Sequence, residues 1–466
     1  MPPTVAFLVW LILLLGLLYF DPAKDPKISA AMWVPVIWVF ILGSRLPSQW
    51  IGGQLESSVN LLEEGSPIDR VILSALILLA LLTLATRAIK WGKLVTRNTW
   101  VVAFVVFALI SVCWSDFPLV SLKRWFRDLG NYVMILVVLS DPNPLAAVRT
   151  LLRRLAYLLI PLSILLFKYF PELGMQYTVW TGARMFVGAT TSKNMLGAVC
   201  LLSGIYFFWD TRVRWANRRV GNTKRILAVN LLFLWMTLWV LMLSDSATSR
   251  VCLAMAFMMI VLAHSRWGQR HSGLVKSLVP AAFCLYLVLA FGLNLNGELA
   301  SQVGRDPTLT DRTIIWNAVL SMHTNPVIGT GYEAFWLGPR FEWIATHFAP
   351  VNESHNGYLE VYLNLGLIGV FLIAGLLLSS YRRICRQLKP LTGVATLHLA
   401  IWTVMLFYNM TEAAFKGDLL WLALLLGAIS LGDLTEQRVR DVAPVGSLAT
   451  VRVPVGSFKT TSLREI

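Results

Sequence analysis

Charged residues are scarce in this sequence. Asp, Glu, Lys and Arg make up 14% of its 466 residues, while 57% of the residues are hydrophobic. Soluble proteins carry roughly 25% charged residues. This deficit excludes a soluble globular enzyme, a disordered chain and a disulfide scaffold. The composition predicts an all-α, polytopic transmembrane helix bundle.

Cysteines and metal-binding motifs are also scarce. The chain has five cysteines, of which four lie in apolar runs and none forms a CxxC pair, so neither a disulfide framework nor a zinc site is predicted. The sequence lacks a DxD pair, an HExxH motif and the lysine of a Walker phosphate loop. We therefore expect neither a metal ion nor a cofactor.

Long apolar runs are what the sequence has instead. Several are shorter than the ~20 residues that a full crossing needs, and Ala31–Leu42 is the weakest, so the sequence predicts twelve or thirteen spans. The runs are Thr4–Phe20, Ala31–Leu42, Val71–Ala85, Thr99–Cys113, Leu129–Leu139, Leu151–Phe167, Met195–Trp209, Ile226–Leu243, Val251–Ala263, Leu278–Phe291, Tyr358–Ser380, Leu397–Met410 and Leu419–Leu431. Because no Lys or Arg precedes the first run, we interpret it as a retained helix and not as a signal peptide.

Basic residues predict the orientation of the bundle. The net charge is +15, and alternate short loops are basic and nearly free of acidic residues, which is typical of cytoplasmic loops. These loops contain Arg87, Lys90, Lys93, Arg97, Arg149, Arg153, Arg154, Arg212, Arg214, Arg218, Arg219, Lys224, Arg225, Arg266, Arg270, Lys276, Arg382, Arg383, Arg386 and Lys389.

The remaining loops are then external. We expect residues 43–70, 114–128, 168–194, 244–250 and 294–356 to lie outside. Residues 1–432 are expected to form one bundle that includes the loop 294–356, and residues 433–466 to form a cytoplasmic polar tail.

The loop 294–356 is too long to be a mere connector. We expect it to hold a short helix around Asp311–His323 and to cover an outward-facing cavity. Gly329-Thr-Gly331 predicts a turn, and Gly366 and Gly369 downstream predict the close approach of a neighbouring helix.

Basic residues in external loops run against the charge bias and are therefore candidate functional groups. Arg250 ends the short stretch Ser244–Arg250 between two apolar helices. A guanidinium near the membrane surface needs an anionic partner, which is either a carboxylate such as Asp245 or a ligand phosphate. The alternative is an arginine that reaches lipid headgroups.

The second candidate is Arg312, in the stretch Asp311-Arg312-x-x-x-Trp316 of the long loop. Arg312 and Trp316 are four residues apart and hence lie on one face of a helix. Either the two side chains stack on each other, or Arg312 contacts a phosphate or sugar and Trp316 offers its ring to a sugar.

The third candidate is His355, where the long loop enters the next helix. The unperturbed pKa of histidine, ~6.5, suits a general base, although a cap or surface residue is the alternative. Asn356 and Glu360 belong to the same stretch and are four residues apart.

A further candidate is an anion site formed by Arg184 and by the helix start that carries Lys193 and Asn194. Hydroxyl groups, a lysine and free helix N–H groups together suit an anion. A capped helix with surface charge is the alternative.

Taken together, these residues resemble the O-antigen ligase/polymerase superfamily of bacterial envelope proteins (Wzy/WaaL-like), over about 114–432. Lys193-Asn194 and Ser-His-Asn-Gly at 354–357 are most similar to its ExoQ-type exopolysaccharide polymerase branch. The matching residues are Ser244-x-Ser-x-x-Ser-Arg250, Arg312-x-x-x-Trp316, Pro326-x-x-Gly329-x-Gly331, Ser354-His355-Asn356-x-x-Leu359-Glu360, Gly366-x-x-Gly369, Gly188 and Asn194.

The resemblance implies a multi-pass glycosyltransferase of the bacterial inner membrane. Such proteins transfer a glycan from an undecaprenyl-diphosphate carrier to a glycan hydroxyl on the periplasmic face, and they need no nucleotide sugar and no metal ion. Further implied partners are the lipid bilayer, a chain-length regulator and a flippase, but no nucleic acid.

The resemblance also implies roles for the candidate residues. Arg250 and Arg312 would hold the diphosphate and stabilise its charge, and His355 would accept the proton of the attacking hydroxyl. Either Glu360 or Asp311 would orient His355. The expected substrate-binding residues are Arg184, Lys193, Asn194, Asp311, Trp316, Asn356 and Glu360.

Three other functions stay open at this point. Ligation of a finished glycan to a lipid or protein acceptor uses the same donor chemistry as polymerisation. A transporter of the lipid-linked unit would place ionisable residues in the middle of its spans and show paired repeats with broken helices, whereas these spans are nearly all apolar there. A purely structural role in the membrane is compatible with every residue, but it leaves the Arg and His of the long loop without a function.

Overall fold

A computed structural model describes residues 1–52, 65–177, 182–215, 218–219, 221–292, 312–348, 351–388 and 393–431. Over these residues the chain is helical apart from loops and one two-stranded antiparallel sheet. The predicted all-α membrane fold is thus confirmed. The predicted tail 433–466 and the first part of the long loop lie outside the described residues.

The elements follow one another in a single bundle. The helices are α1 Pro3–Tyr19, α2 Trp33–Leu42, α3 Pro47–Gly52, α4 Pro67–Ala85, α5 Trp91–Arg97, α6 Thr99–Ile110, α7 Pro118–Leu139, α8 Pro144–Tyr169, α9 Pro171–Gly174, α10 Lys193–Trp215, α11 Thr223–Ser244, α12 Ala247–His264, α13 Arg266–Arg270, α14 Ser272–Leu287, α15 Arg312–Ser321, α16 Gly338–His347, α17 Gly357–Gln387, α18 Gly393–Tyr408 and α19 Leu419–Ala428. Strands β1 Met175–Tyr177 and β2 Arg184–Phe186 form the hairpin. Short 3₁₀ turns cover Ala30–Met32 and Ser111–Trp114, and a π-helical turn covers Val288–Gly292.

Every predicted apolar run coincides with a described helix, but fewer helices have the full length of a span. Seven of the described helices are long and apolar enough to cross a membrane, or eight if the pair α5–α6, which is bent by 92°, counts as one span. The sequence predicted twelve or thirteen spans, several of them too short for a full crossing, and four described apolar helices are only 10–17 residues long. Helix α2, with ten residues, is only about 15 Å long, half the thickness of the hydrocarbon layer.

Helices α8, α10, α18 and α19 are the most buried helices of the bundle. The apolar windows of α8 and α10 are 72% and 83% buried, whereas that of α14 is 17% buried. A helix that is apolar on all sides can be buried on all sides. Because α10 lies in this core, its first turn, with Lys193 and Asn194, is held against the surrounding helices.

The predicted basic loops meet at one end of the bundle, which we call the basic end. Asp210 is fully buried there and pairs with Arg153 and Arg214 at 2.8 and 2.9 Å. Asp141 pairs with Arg87 at 3.5 Å. Removing one partner from such buried pairs is strongly destabilising, so they hold the helices in place.

The loops predicted to be external meet at the opposite end, which we call the site end. Arg45 Nε donates to the carbonyl of Thr190, Arg340 pairs with Asp116, and the Thr248 hydroxyl lies 3.0 Å from that of Thr411. The loops predicted to be cytoplasmic and those predicted to be external thus lie at opposite ends of the bundle.

The predicted short helix of the long loop is confirmed as α15, and the predicted turn at Gly329 and Gly331 is confirmed as well, since both glycines have positive φ. This turn packs into a break of α17 at Gly366, where φ is 61° and ψ is −163°. Leu367 N donates to Pro326 O at 2.9 Å, across the break. The prediction that a helix approaches Gly366 is wrong: the backbone of the 326–331 turn approaches there instead.

Candidate active site

The loop 409–418, between α18 and α19, contacts the starts of several helices at the site end. Gly357 N, at the start of α17, donates to the carbonyls of Asn409 and Glu412 at 2.8 and 3.0 Å. Arg312, the first residue of α15, donates to the carbonyl of Thr411. Together with the Thr248–Thr411 contact of α12, these bonds bring the starts of three helices to one loop.

Glu412 lies at the centre of this arrangement, and its side chain is 5% exposed. Its Oε1 accepts hydrogen bonds from Arg312 Nη2 and from Asn194 Nδ2, both at 3.0 Å. Its Oε2 lies 3.4 Å from His355 Nδ1. A buried carboxylate needs such compensation, and here one carboxylate joins residues from α10, α15 and the segment before α17.

His355 is also beside a second carboxylate. Its Nδ1 lies 3.1 Å from Glu353 Oε1, although it forms no well-aligned hydrogen bond among the described residues. Burial lowers the pKa of His355, but the two carboxylates outweigh this effect and raise it to about 9. The imidazole is therefore protonated at neutral pH.

Glu353 is ionised for a related reason. Burial raises the pKa of its carboxyl, but Lys416, whose Nζ lies 2.8 Å away, and His355 together hold the pKa well below its usual value. We call Asn194, Arg312, Glu353, His355, Glu412 and Lys416 the charged cluster. Its three cations face two carboxylates, and Lys416 also feels the charges of Glu360 and Glu333.

The backbone of His355 is held in a strained conformation. Its φ is 52°, a region that costs a non-glycine residue of order 1–3 kcal/mol and is often found at functional sites. The strain is maintained from both sides. Trp316 Nε1 donates to the carbonyl of Ser354 at 2.7 Å, and Asn356 caps α17 by accepting from Tyr358 N and Leu359 N.

Glu360 supports the same segment and does not contact the imidazole. Its carboxylate accepts from Ser354 N and Oγ at 3.1 and 2.9 Å and from Trp336 Nε1 at 2.6 Å. The position predicted for Glu360 or Asp311 beside His355 is occupied by Glu353 and Glu412. Asp311 itself lies outside the described residues.

Helix starts add to the positive potential of the charged cluster. Helices α10, α12, α15 and α17 begin around the loop 409–418, and the N-terminus of each helix carries a partial positive charge. Together with Arg312, Lys416 and His355, they form a site that suits a polyanion such as a diphosphate.

The cluster also contains donors for a metal ion. One ligand atom each from Glu353, His355 and Glu412 lies within 4.8 Å of the others. However, Lys416 and Arg312 already neutralise the two carboxylates. This donor set is therefore satisfied by protein cations, and metal independence stays a prediction.

The other predicted residues lie at the same end but outside the charged cluster. Arg250 pairs with Asp245 at 2.8 Å, and its side chain is 36% exposed. Asp245 is the carboxylate that the sequence suggested as one of two alternative partners. Arg184 lies exposed on β2, and Lys193 opens α10. Among the described residues, neither of the latter two forms an ion pair.

Besides these three outer residues, the described site residues that were predicted divide into two groups. The structure brings Arg312, His355 and Asn194 together. It gives Trp316, Asn356 and Glu360 supporting contacts around Ser354, with no Arg312–Trp316 stack in the described part of the chain.

Sequence reasoning missed Glu353, Glu412 and Lys416. A signal was available for two of them, because Glu412 and Lys416 form a charged interruption between two strongly apolar runs.

Comparison with known proteins supports the resemblance. Residues 231–374, which include Arg250, Arg312 and His355, match the family model described as O-antigen ligase. The chain is also 27% identical, over 306 residues, to the exopolysaccharide production protein ExoQ of Rhizobium meliloti (strain 1021). The resemblance to the O-antigen ligase/polymerase superfamily is thereby confirmed.

The similarity to the superfamily has clear limits. The ExoQ match covers 60% of this chain and 64% of that relative, so the chain spans somewhat less than two thirds of the protein it resembles. Glu412 and Lys416 lie beyond the range that the O-antigen ligase model matches. The contacts of these two residues therefore come from the structure alone.

Proposed function

We propose that this protein is a glycosyltransferase of the bacterial inner membrane that polymerises exopolysaccharide or O-antigen repeat units. The observation that carries the proposal is the arrangement of His355 beside the buried Arg312–Glu412 pair at the site end, in a chain that resembles the O-antigen ligase superfamily. The undecaprenyl-diphosphate donor and the glycan acceptor follow from that resemblance.

The donor headgroup is placed by charge. Arg312, Lys416 and the N-termini of the helices attract the diphosphate. Arg250, at the rim of the site end, contacts another part of the same diphosphate headgroup. The excess of basic residues at the opposite end favours a cytoplasmic basic end and hence a periplasmic site end.

The reaction needs one bond to form and one to break. The bond between sugar C1 and the phosphate oxygen breaks and its electron pair stays on the diphosphate, while the acceptor hydroxyl oxygen forms the new bond to C1. His355 begins as an imidazolium and donates its proton to the departing phosphate oxygen. The neutral imidazole then accepts the hydroxyl proton, and Arg312 stabilises the charge on the diphosphate.

Ligation of a finished glycan is the second candidate, because the matching family model carries the description O-antigen ligase. The same site would serve both reactions, and the accumulated product of a gene deletion separates them. Short unpolymerised units indicate a polymerase, whereas long carrier-bound chains indicate a ligase.

The site is tested with purified protein and a lipid-linked repeat unit. We expect Arg312→Ala, His355→Ala and Arg250→Ala each to reduce glycan transfer, with Arg250→Ala the mildest because its guanidinium is the most exposed. Full activity of all three variants refutes the site. Lys93→Ala, at the basic end, is the control and should retain activity.

Metal independence is tested on the same preparation. Because protein cations already pair with Glu353 and Glu412, we expect EDTA to leave glycan transfer unchanged. Strong inhibition by EDTA that one divalent ion reverses would contradict the proposed mechanism.

A further inference from the structure

Only one of the two polar atoms of the Asn194 side-chain amide has a hydrogen-bond partner among the described residues. Its Nδ2 donates to Glu412 Oε1 at 3.0 Å, whereas its Oδ1 is buried and has no hydrogen-bond donor among the described residues. The orientation of the amide is determined by Glu412, because an ionised carboxylate accepts hydrogen bonds and would repel the amide oxygen.

Several buried polar atoms of the described residues lack a hydrogen-bond partner, and two of them, Asn194 Oδ1 and His355 Nδ1, belong to the charged cluster. Most buried polar atoms in folded proteins have a partner, and an exception at a candidate site indicates a ligand or a water molecule. The Asn194 amide is fixed beside His355 and Arg312 through the shared carboxylate of Glu412. Its free oxygen therefore belongs to the charged cluster, where the reacting groups are expected.

The surroundings of Oδ1 favour a neutral donor. An amide oxygen is an acceptor and repels phosphate oxygens, so the diphosphate is expected at the cations Arg312 and Lys416 and not at Oδ1. The uncharged donors of a glycan are its hydroxyls and, in acetamido sugars, an N–H group, and the hydroxyls are the more numerous. An amide oxygen is too weakly basic to take a proton, so it orients a hydroxyl and does not activate it.

We propose that Asn194 Oδ1 accepts a hydrogen bond from a sugar hydroxyl of the donor or acceptor glycan, and thereby determines which sugars are transferred. This inference rests on the proposed glycan transfer. It assigns Asn194 a role separate from the diphosphate contacts, because its free atom is an acceptor and not a donor.

The test compares glycans with and without a single hydroxyl. Purified protein is given singly deoxygenated acceptors in one arm and singly deoxygenated donor units in the other. In the wild type, one of these analogues should be transferred with kcat/KM lowered roughly tenfold relative to the parent glycan. In Asn194→Ala the parent glycan should fall to the same level, and the preference should disappear. The arm in which this happens shows whether the hydroxyl belongs to the donor or to the acceptor.

Two further variants make the result decisive. Asn194→Ser, a second small replacement, should also lose the preference for the parent glycan over its deoxygenated analogue. It takes the place of Asn194→Ala if that variant does not fold. Asn222→Ala, at an exposed asparagine of the basic end, should keep it.

Other results overturn the inference. Equal loss of transfer for every glycan, together with a pH profile displaced from that of the wild type, would mean that Asn194 only holds Glu412. A preference that persists in both variants overturns it as well. Wild-type protein that transfers no glycan at all refutes the proposed function itself.

Discussion

At the scale of single residues, the charge of His355 decides which role it can have in the proposed mechanism. The two carboxylates beside it raise its pKa to about 9, so the proposed mechanism starts from the imidazolium. The role predicted from the sequence, a general base in the resting enzyme, requires a neutral ring. With a pKa of about 9, only about one molecule in a hundred has a neutral His355 ring at pH 7. The proposed mechanism therefore starts with proton donation.

This charge state predicts the pH dependence of glycan transfer. The folded pKa of His355 is raised above its unfolded value, so the protonated state and the stability it contributes are fully present below pH ~6.5. Both are lost as the pH rises through about 9. We expect kcat to be level between pH 7 and 8 and to fall near pH 9, measured with purified protein.

A matched variant tests the cause of the raised pKa. Glu353→Gln keeps the shape of the side chain but removes one of the two carboxylates beside Nδ1, so the fall in kcat should move to lower pH. A rate that instead rises steadily from pH 7 to 9 would show that the neutral imidazole is the resting form.

At the scale of elements, the helices were predictable and their lengths were not. Apolar runs identified every described membrane helix because burial or lipid contact requires such runs. Helix ends depend on local geometry, as in α17, where Gly366 introduces a break inside one continuous apolar run. The apolar pattern carries no sign of that break.

The site was predictable to a similar extent. Arg312 was recognised because a basic residue in an external loop runs against the charge bias, and His355 because a histidine at the entrance of a helix suits a general base. Their partner Glu412 lies about a hundred residues from Arg312 in the chain. The charged interruption that contains Glu412 is visible in the sequence, but the residues with which it pairs are not. Glu360, the partner favoured by closeness in sequence, turns towards Trp336 instead. Such pairings arise from tertiary packing.

The break in α17 leads to a stability prediction. Gly366 has backbone angles that are essentially restricted to glycine, at a cost of order 1–3 kcal/mol for other residues. An added Cβ would also clash with the backbone carbonyl of Val327. We expect Gly366→Ala to displace the 326–331 turn and to lower the thermal midpoint of the protein in detergent.

The control for this prediction is Gly16→Ala. Gly16 lies in the apolar helix α1 with no atom within 4 Å of an added Cβ, so alanine should be neutral or slightly stabilising there. An unchanged midpoint for Gly366→Ala would mean that the break in α17 does not depend on glycine.

At the scale of the whole molecule, the two ends have different chemistry. The basic end combines many cations with a few buried carboxylates such as Asp210 and Asp141. The site end carries fewer cations, and Arg312 and Lys416 are paired with carboxylates there. Because cytoplasmic loops are enriched in Lys and Arg, this asymmetry predicts that the site end faces the periplasm.

Cysteine labelling tests this orientation in cells. The native cysteines are first replaced by alanine, because Cys113 and Cys284 are exposed. Glu342→Cys then places a single thiol on exposed α16 at the site end, and Lys93→Cys places one on exposed α5 at the basic end. A membrane-impermeant maleimide should label Glu342→Cys in cells with an opened outer membrane, and Lys93→Cys only after the inner membrane is disrupted. The reverse pattern would place the charged cluster in the cytoplasm, where no translocated lipid-linked glycan is available.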